Sequence, residues 1–413
     1  MDVKLNKKQT EIVMKAVDWF FNSSEQVFQF SGGPGTGKSV VLNSIVNEIS
    51  KKRRVNVAPM AYTGAAAIVM RTKGFLTAKS IHSSLYEVVE TYEDENNDIT
   101  RKAFGLGSRK VTKFQLRSWI DPNVKLLFID EAYMVPKYMV RDILSFGIKV
   151  IACGDPNQLP PIGDNPGFLV GYGVHRLTQL MRQSKNNPII FLANRAMKGE
   201  PIHCGSYGND VLVINDTDFI PEMIGFADAI ICGLNNTRDT LNNYVRSLLG
   251  YQDYQMPLYG ERIICRNNNW DFVRGGIALT NGLAGTVLNQ PDISGMNKYS
   301  DTFRVDFAPD LIQGITFENV LVNSDYFTGT REIKNRIKEQ AKHYGVRGEL
   351  FEFAYALTTH LAQGQEYFNG IYVEEFMRQN IQNQLNYTGI TRFKNKLIYV
   401  RKTNKYFYIP QSK

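Results

Sequence analysis

Gly32-Gly33-Pro34-Gly35-Thr36-Gly37-Lys38-Ser39 is the stretch on which the reading of this chain turns. It fits the pattern G-x-x-x-x-G-K-[ST] in full. Gln26–Phe30 before it reads as a short strand, and a helix is predicted from Lys38 to about Ile49. In that strand–loop–helix setting the glycines let backbone N–H groups wrap a phosphate, and the helix start adds positive potential. Gly35, Thr36 and Gly37 form the cradle. Lys38 is placed to hold the β- and γ-phosphates of a nucleoside triphosphate, and the Ser39 hydroxyl to ligate Mg²⁺.

Outward from the loop, apolar residues Ile12, Val13, Ala16, Val17, Phe20 and Phe21 recur at helical spacing, with Asn6 as the cap. Downstream, Arg54–Val57 reads as a strand and Thr63–Met70 as a helix. Val124–Ile129 and Lys149–Cys153 are continuous apolar strands. Buried strands alternating with helices predict an α/β fold whose parallel sheet is covered on both faces. The first of these two strands ends in Asp130-Glu131. Asp130 can complete the Mg²⁺ shell, and Glu131 can polarise an attacking water. The second leads into Gly154-Asp155-Pro156-Asn157-Gln158-Leu159-Pro160-Pro161. There Gln158 can bond a γ-phosphate oxygen and report its presence. Phosphate loop and acid pair alone leave kinases, GTPases, packaging motors and helicases all open.

The 413 residues exceed one domain of roughly 100–150. Forty-eight Lys and Arg against 40 Asp and Glu leave a net charge of +8, which suits a polyanionic partner. Most of the 21 Tyr and 24 Phe read as core, the remainder as platforms for bases. Cys153, Cys204, Cys232 and Cys265 show no C-x-x-C spacing, so they read as reduced thiols rather than zinc ligands. No signal peptide and no bilayer-length apolar run are read, which predicts a cytoplasmic protein with no membrane partner.

The α/β pattern breaks between Tyr86 and Ile120, an acidic then basic stretch read as an inserted hairpin. It resumes near residue 178 with a strand at Ala229–Cys232 and a helix at Thr237–Leu249. From about Met256 to Gly348 the signal is short strands and tight turns. Phe353–Leu357, Gly370–Val373 and Leu397–Val400 then read as further buried strands.

Motif for motif, this order resembles superfamily-1 DNA helicases. Gly154–Pro161 resembles their motif III. Gln9, in Leu5-Asn6-Lys7-Lys8-Gln9, is similar to their adenine-reading glutamine. Thr63-Gly64-Ala65-Ala66-Ala67 resembles motif Ia, and Ser80-Ile81-His82 the next strand-contact motif. Leu180-Met181-Arg182-Gln183 resembles motif IV, and Leu357–Glu366 motif V. Tyr387-Thr388-Gly389-Ile390-Thr391-Arg392 resembles motif VI. The His-x-x-Gln-Gly form at His360–Gly364 is most similar to the RecD-like and phage Dda-like branch, which moves 5′→3′ on single-stranded DNA. Two positions depart from the family pattern. Tyr133 stands where Ser is usual after the acid pair, and Tyr62 where Pro often precedes motif Ia.

The resemblance implies two RecA-like parallel-sheet domains, residues 1–85 with 121–177 and residues 178–255 with 349–413. It implies a hairpin insertion at 86–120 and an SH3-like β insertion at 256–348. It implies catalytic roles for Lys38, Glu131, Gln158, Arg182 and Arg392, the last two as arginine fingers. Gln9, Gly364 and Glu366 join the phosphate loop in holding ATP, with Mg²⁺ on Ser39 and Asp130. Thr63, Gly64, His82, Thr359 and His360 become DNA contacts. The implied partners are single-stranded and fork DNA, with single-strand-binding or replication proteins as further candidates. The implied state is a monomer, in a host cytoplasm if the chain is phage-encoded. Strand separation also needs a wedge, and Phe104, just before Gly105 in the hairpin, is the candidate tip.

Overall fold

The computed structural model describes residues 5–93, 109–179, 187–292 and 302–404. Two compact units make up the chain. One comprises Met1–Ser80, Trp119–Gln252 and Tyr355–Lys413, the other Ile81–Ser118 and Asp253–Ala354.

The first unit contains two sheets. Helix α1 (Lys7–Asn22) opens on a capping box: the Asn6 side chain accepts the Gln9 N–H, and the Gln9 side chain accepts the Asn6 N–H. Strand β1 (Val27–Gly32) leads through the glycine loop into α2 (Lys38–Lys52). Then follow β2 (Asn56–Ala61), α3 (Gly64–Thr72), β3 (Lys79–Ser80), β4 (Val124–Asp130), α4 (Lys137–Ser145), β5 (Lys149–Gly154) and β6 (Val174–Leu177). The strand order is β3-β2-β4-β5-β1-β6, parallel throughout. Leu126–Ile129 and Val150–Cys153 are fully buried, as central strands covered on both faces must be. The phosphate loop and Asp130-Glu131 both lie at carboxyl ends of these parallel strands, where α/β sheets place their ligands.

The second sheet follows α5 (Pro188–Lys198). It contains β7 (Gly205–Tyr207), β8 (Val211–Asn215), β9 (Ala229–Cys232), β10 (Ala356–Thr358), β11 (Tyr367–Val373) and β12 (Phe393–Arg401). Helices α6 (Asn235–Leu248), α7 (Thr359–Ala362) and α8 (Gln379–Ile390) complete this half. The order is β10-β9-β11-β12-β8-β7, with only β7 antiparallel to its neighbour. A buried Lys402–Glu375 ion pair, joined by the Thr237 hydroxyl, fastens the segment after β12 to that after β11. The expected α/β class with two parallel sheets is therefore found.

The second unit holds an antiparallel hairpin, Tyr86–Glu93 with Arg109–Leu116. It also holds an antiparallel five-stranded sheet formed by Arg262–Cys265, Ala284–Val287, Thr302–Pro309, Phe317–Asn323 and Phe351–Phe353. The helix Arg331–Tyr344 packs on Arg109–Leu116, so hairpin and β-rich segment belong to one unit.

One expected strand divides. The apolar content of Phe353–Leu357 predicts one continuous strand. Instead Phe351–Phe353 pairs antiparallel with Arg262–Cys265, and Ala356–Thr358 pairs parallel with β9. Hydrophobicity marks both halves as buried but carries no information about which sheet each joins. Likewise the strand expected at Arg54–Val57 runs from Asn56 to Ala61, because Arg53 and Arg54 stay exposed at the helix exit. Among the described residues no helix is long and apolar enough to cross a membrane.

Candidate active site

The phosphate loop owes its shape to two glycines in left-handed backbone, Gly35 at φ 73° and Gly37 at φ 82°. Gly37 caps α2 with no side chain, so the first N–H groups of α2 are left for an anion. Lys38 folds back over the loop, its Nζ donating to the Gly32 carbonyl at 2.8 Å. The Thr36 hydroxyl donates to the Gly33 carbonyl at 2.8 Å. Gln9 supports the loop, its Nε2 donating to the Thr36 carbonyl at 2.9 Å. Gln9 and Thr36 are both buried, and neither lines the cavity in front of the loop.

That cavity has a volume of about 530 Å³. From the first sheet's side it is lined by Gly35, Gly37, Lys38, Ser39, Asp130, Glu131 and Gln158. From the second sheet's side come Gly364, Glu366 and Arg392. Sequence positions more than 350 apart thus share one hollow within the same unit.

Glu131 sits just past β4 at φ 51°, left-handed backbone that is uncommon outside glycine. Burial pushes its carboxyl above the usual range, and neighbouring Asp130 adds to the rise against the opposing charges of Lys38 and Arg392. Asp130 Oδ1 accepts the Glu131 N–H at 2.9 Å and the Cys153 thiol at 3.3 Å. Gln158 is buried, and its Oε1 has no hydrogen-bond partner. Gln158 is among the residues lining the cavity, and a buried acceptor without a partner is a group that a local rearrangement or a bound water would satisfy.

Arg392 is 4% exposed. Its guanidinium donates to the Thr388 carbonyl at 3.1 Å, the Gln365 carbonyl at 3.3 Å and the Thr391 hydroxyl at 3.3 Å. Among the described residues no carboxylate forms an ion pair with it. A buried guanidinium whose hydrogen bonds all go to neutral acceptors, with Glu131 near but not ion-paired to it, keeps positive charge to offer an anion.

Glu366 is bracketed by Lys73 at 3.2 Å and Lys394 at 2.6 Å. Burial pushes its carboxyl up, but the two lysines outweigh this and hold it down to about 2. Both lysines line the cavity, and the sequence reading named neither. Lys394 stands two residues past the motif VI arginine and could have been weighed there. Lys73 lies in no recognisable motif, so only the fold brings it in. Gly364, at φ 77°, passes so close to α3 that a Cβ there would sit 2.6 Å from that of Ala66.

The strand-contact candidates are placed unevenly. Thr63 caps α3, its hydroxyl accepting the Ala66 N–H at 3.1 Å, and Gly64 is the first residue of that helix. Thr359 is fully buried, with its hydroxyl donating to the Cys232 carbonyl at 3.1 Å, so its side chain is spent inside the fold. Half-buried His360 follows it, its imidazole pKa lowered by burial. His82 belongs to the other unit, where its ring lies 5.5 Å from that of Tyr86 and 6.1 Å from that of Phe114. Arg182 and Phe104 lie outside the described residues.

A family model described as an AAA domain matches residues 4–216. The chain is 27% identical over 176 residues to the ATP-dependent RecD2 DNA helicase of Deinococcus radiodurans, covering 41% of this chain and 21% of that protein. It is 30% identical over 154 residues to the ATP-dependent DNA helicase PIF1 of Candida albicans, covering 32% of this chain and 14% of that one. These matches thus span well under half of either relative. Among solved structures, Bacteroides Pif1 in complex with ADP-AlF3 and single-stranded DNA superposes with a TM-score of 0.52 at 18% identity, covering 99% of this chain and 95% of that one. Candida albicans Pif1 gives 0.51 at 18% identity, covering 96% and 95%. At such identity the likeness is one of fold. With more than half of its length inside the family model, the chain belongs to the AAA domain family, and the RecD2 match is in line with the resemblance of its motifs to the RecD-like branch of superfamily 1.

Proposed function

We propose that this chain is an ATP-driven motor that moves 5′→3′ on single-stranded DNA and separates duplex ahead of it. The observation that carries the reading is the shared cavity: Lys38, Asp130, Glu131 and Gln158 on one side, Arg392 on the other. Phosphoryl transfer to water needs little covalent help from the protein and much charge neutralisation around the γ-phosphate. Lys38 binds the β- and γ-phosphates once it leaves the Gly32 carbonyl. Glu131, its basicity raised by burial, takes the proton of the attacking water. Gln158 offers Oε1 to that water and its amide N–H to a γ-oxygen. Arg392 supplies the remaining positive charge, a role worth roughly 10³–10⁵ in rate for arginine fingers elsewhere.

Magnesium suits the donor set. The ion keeps most of its water and takes one or two protein ligands beside phosphate oxygens. Ser39 and Asp130 supply such a pair at the cavity wall. Among the described residues no cluster of three or more His, Cys, Asp or Glu could hold a metal by itself. When bound with the nucleotide, the ion neutralises charge on its phosphates.

Because the arginine and the phosphate loop stand on different sheets, ATP joins the two halves and hydrolysis loosens them. A strand held at the start of α3 (Thr63, Gly64) and around His360 then feels alternating grip. Arg182 as a second arginine, Gln9 as a reader of adenine, His82 as a further strand contact, and the hairpin as wedge complete the reading. The DNA helicase names of the relatives and the single-stranded DNA bound by the Bacteroides structure support DNA as the track.

Forked duplexes with a single 5′ or a single 3′ tail test this directly. Unwinding of the 5′-tailed substrate alone is expected. Unwinding of only the 3′-tailed one overturns the polarity. Tracking along a single strand without separating duplex reduces the chain to a translocase.

A further inference from the structure

The turn that presents Gln158 is gripped from the other sheet on both sides of that residue. Before it, Asp155 shapes the turn. Its Oδ1 accepts the Asn157 N–H at 3.0 Å, and its carbonyl accepts the Gln158 N–H at 3.1 Å. The other oxygen, Oδ2, accepts the Tyr387 hydroxyl at 2.6 Å. After Gln158, both backbone groups of Leu159 are taken. Its N–H donates to the Thr388 hydroxyl at 3.0 Å, and its carbonyl accepts Gln363 Nε2 at 3.2 Å. Asp155, Gln158, Thr388, Tyr387 and Gln363 are all at most 3% exposed. The Tyr387 hydroxyl also stands over the phosphate loop, 3.1 Å from where a Cβ on Gly33 would sit.

Tyr387 and Thr388 lie on α8, Arg392 lies two residues past its end, and Gln363 lies just past α7. The three groups therefore travel with the second sheet while the turn they hold belongs to the first. Gln158 itself lines the cavity and is left with a buried, partnerless Oε1. We propose that Tyr387, Thr388 and Gln363 are positioning residues for Gln158, so that Gln158 meets the γ-phosphate only when the second sheet is seated. The arginine and the glutamine then engage together, since one helix governs both. Hydrolysis is thereby tied to seating of the halves, and premature turnover in an open cleft is suppressed. This rests on the ATPase reading above.

The test is a kinetic cycle. Tyr387→Phe keeps the ring and removes one hydrogen bond to a buried carboxylate, which should lower kcat about tenfold. Affinity for a non-hydrolysable ATP analogue should stay within about twofold, since no nucleotide contact is removed. The double variant Tyr387→Phe/Gln158→Ala should be no slower than Gln158→Ala alone, because the tyrosine acts through the glutamine. If the two losses multiply, or if either single variant keeps full kcat, the proposal is overturned. Should Tyr387→Phe fold poorly, Thr388→Val runs through the same cycle with the same expectations. A wild-type chain that hydrolyses no ATP at all overturns the ATPase reading itself, which separates the two failures.

Discussion

Lys73 Nζ lies 3.2 Å from Glu366 Oε1, an ion pair between residues 293 positions apart. It ties the end of α3, whose start is a candidate DNA contact, to the segment that follows His360. The same carboxylate meets Lys394 at 2.6 Å. Burial raises the Glu366 carboxyl, but the lysines prevail and hold it at about 2, below the ordinary carboxylate value of about 4.3. A carboxyl lowered in the folded state contributes stability that is fully present above its unfolded value and lost as pH falls toward the folded one. Thermal melts of wild type and Glu366→Gln should therefore differ most near pH 5 and converge toward pH 2. A difference that stays constant over that range would remove the lysines as the cause.

Glu131→Gln keeps the shape of the acid but ends its capacity to take a proton. Hydrolysis should fall by about 10²-fold or more, the usual span for a general base. Nucleotide affinity should survive, because Lys38 and the loop are untouched. Fluorescent-nucleotide titration alongside single-turnover hydrolysis separates the two quantities. A joint collapse of both would show that Glu131 shapes the loop rather than the chemistry.

The phosphate loop, the acid pair and the motif VI arginine were legible because each is a local pattern with its own chemistry. Both sheets were legible because their central strands, Leu126–Ile129 and Val150–Cys153 among them, are unbroken apolar runs. Long-range pairing was not legible. Nothing in a one-dimensional pattern says that Tyr387 donates to Asp155 or that Lys73 faces Glu366. Thr359 shows the opposite difficulty. It stands inside a recognisable motif, yet its hydroxyl is bonded to Cys232 in the interior.

Gly364 carries two constraints at once, φ 77° and a 2.6 Å approach of any Cβ to Ala66. Left-handed backbone alone costs a side chain about 1–2 kcal/mol. Gly364→Ala should lower unfolding stability by at least that much, read from denaturant midpoints. It should also push motif V from α3 and raise the ATP concentration needed for half-maximal hydrolysis. Unchanged stability would mean that the segment relaxes freely.

Arg392 decides whether the nucleotide is worked from both sheets. Its buried guanidinium has only neutral acceptors among the described residues, so Arg392→Met should leave the nucleotide-free fold as stable or slightly more so. The most direct measurement is the rate of ATP hydrolysis by Arg392→Ala at saturating ATP, with and without single-stranded DNA. A site shared between two sheets predicts a loss of about 10³-fold, with stimulation by DNA abolished and ATP still bound through Lys38. Hydrolysis at the wild-type rate, still stimulated by DNA, would contradict it.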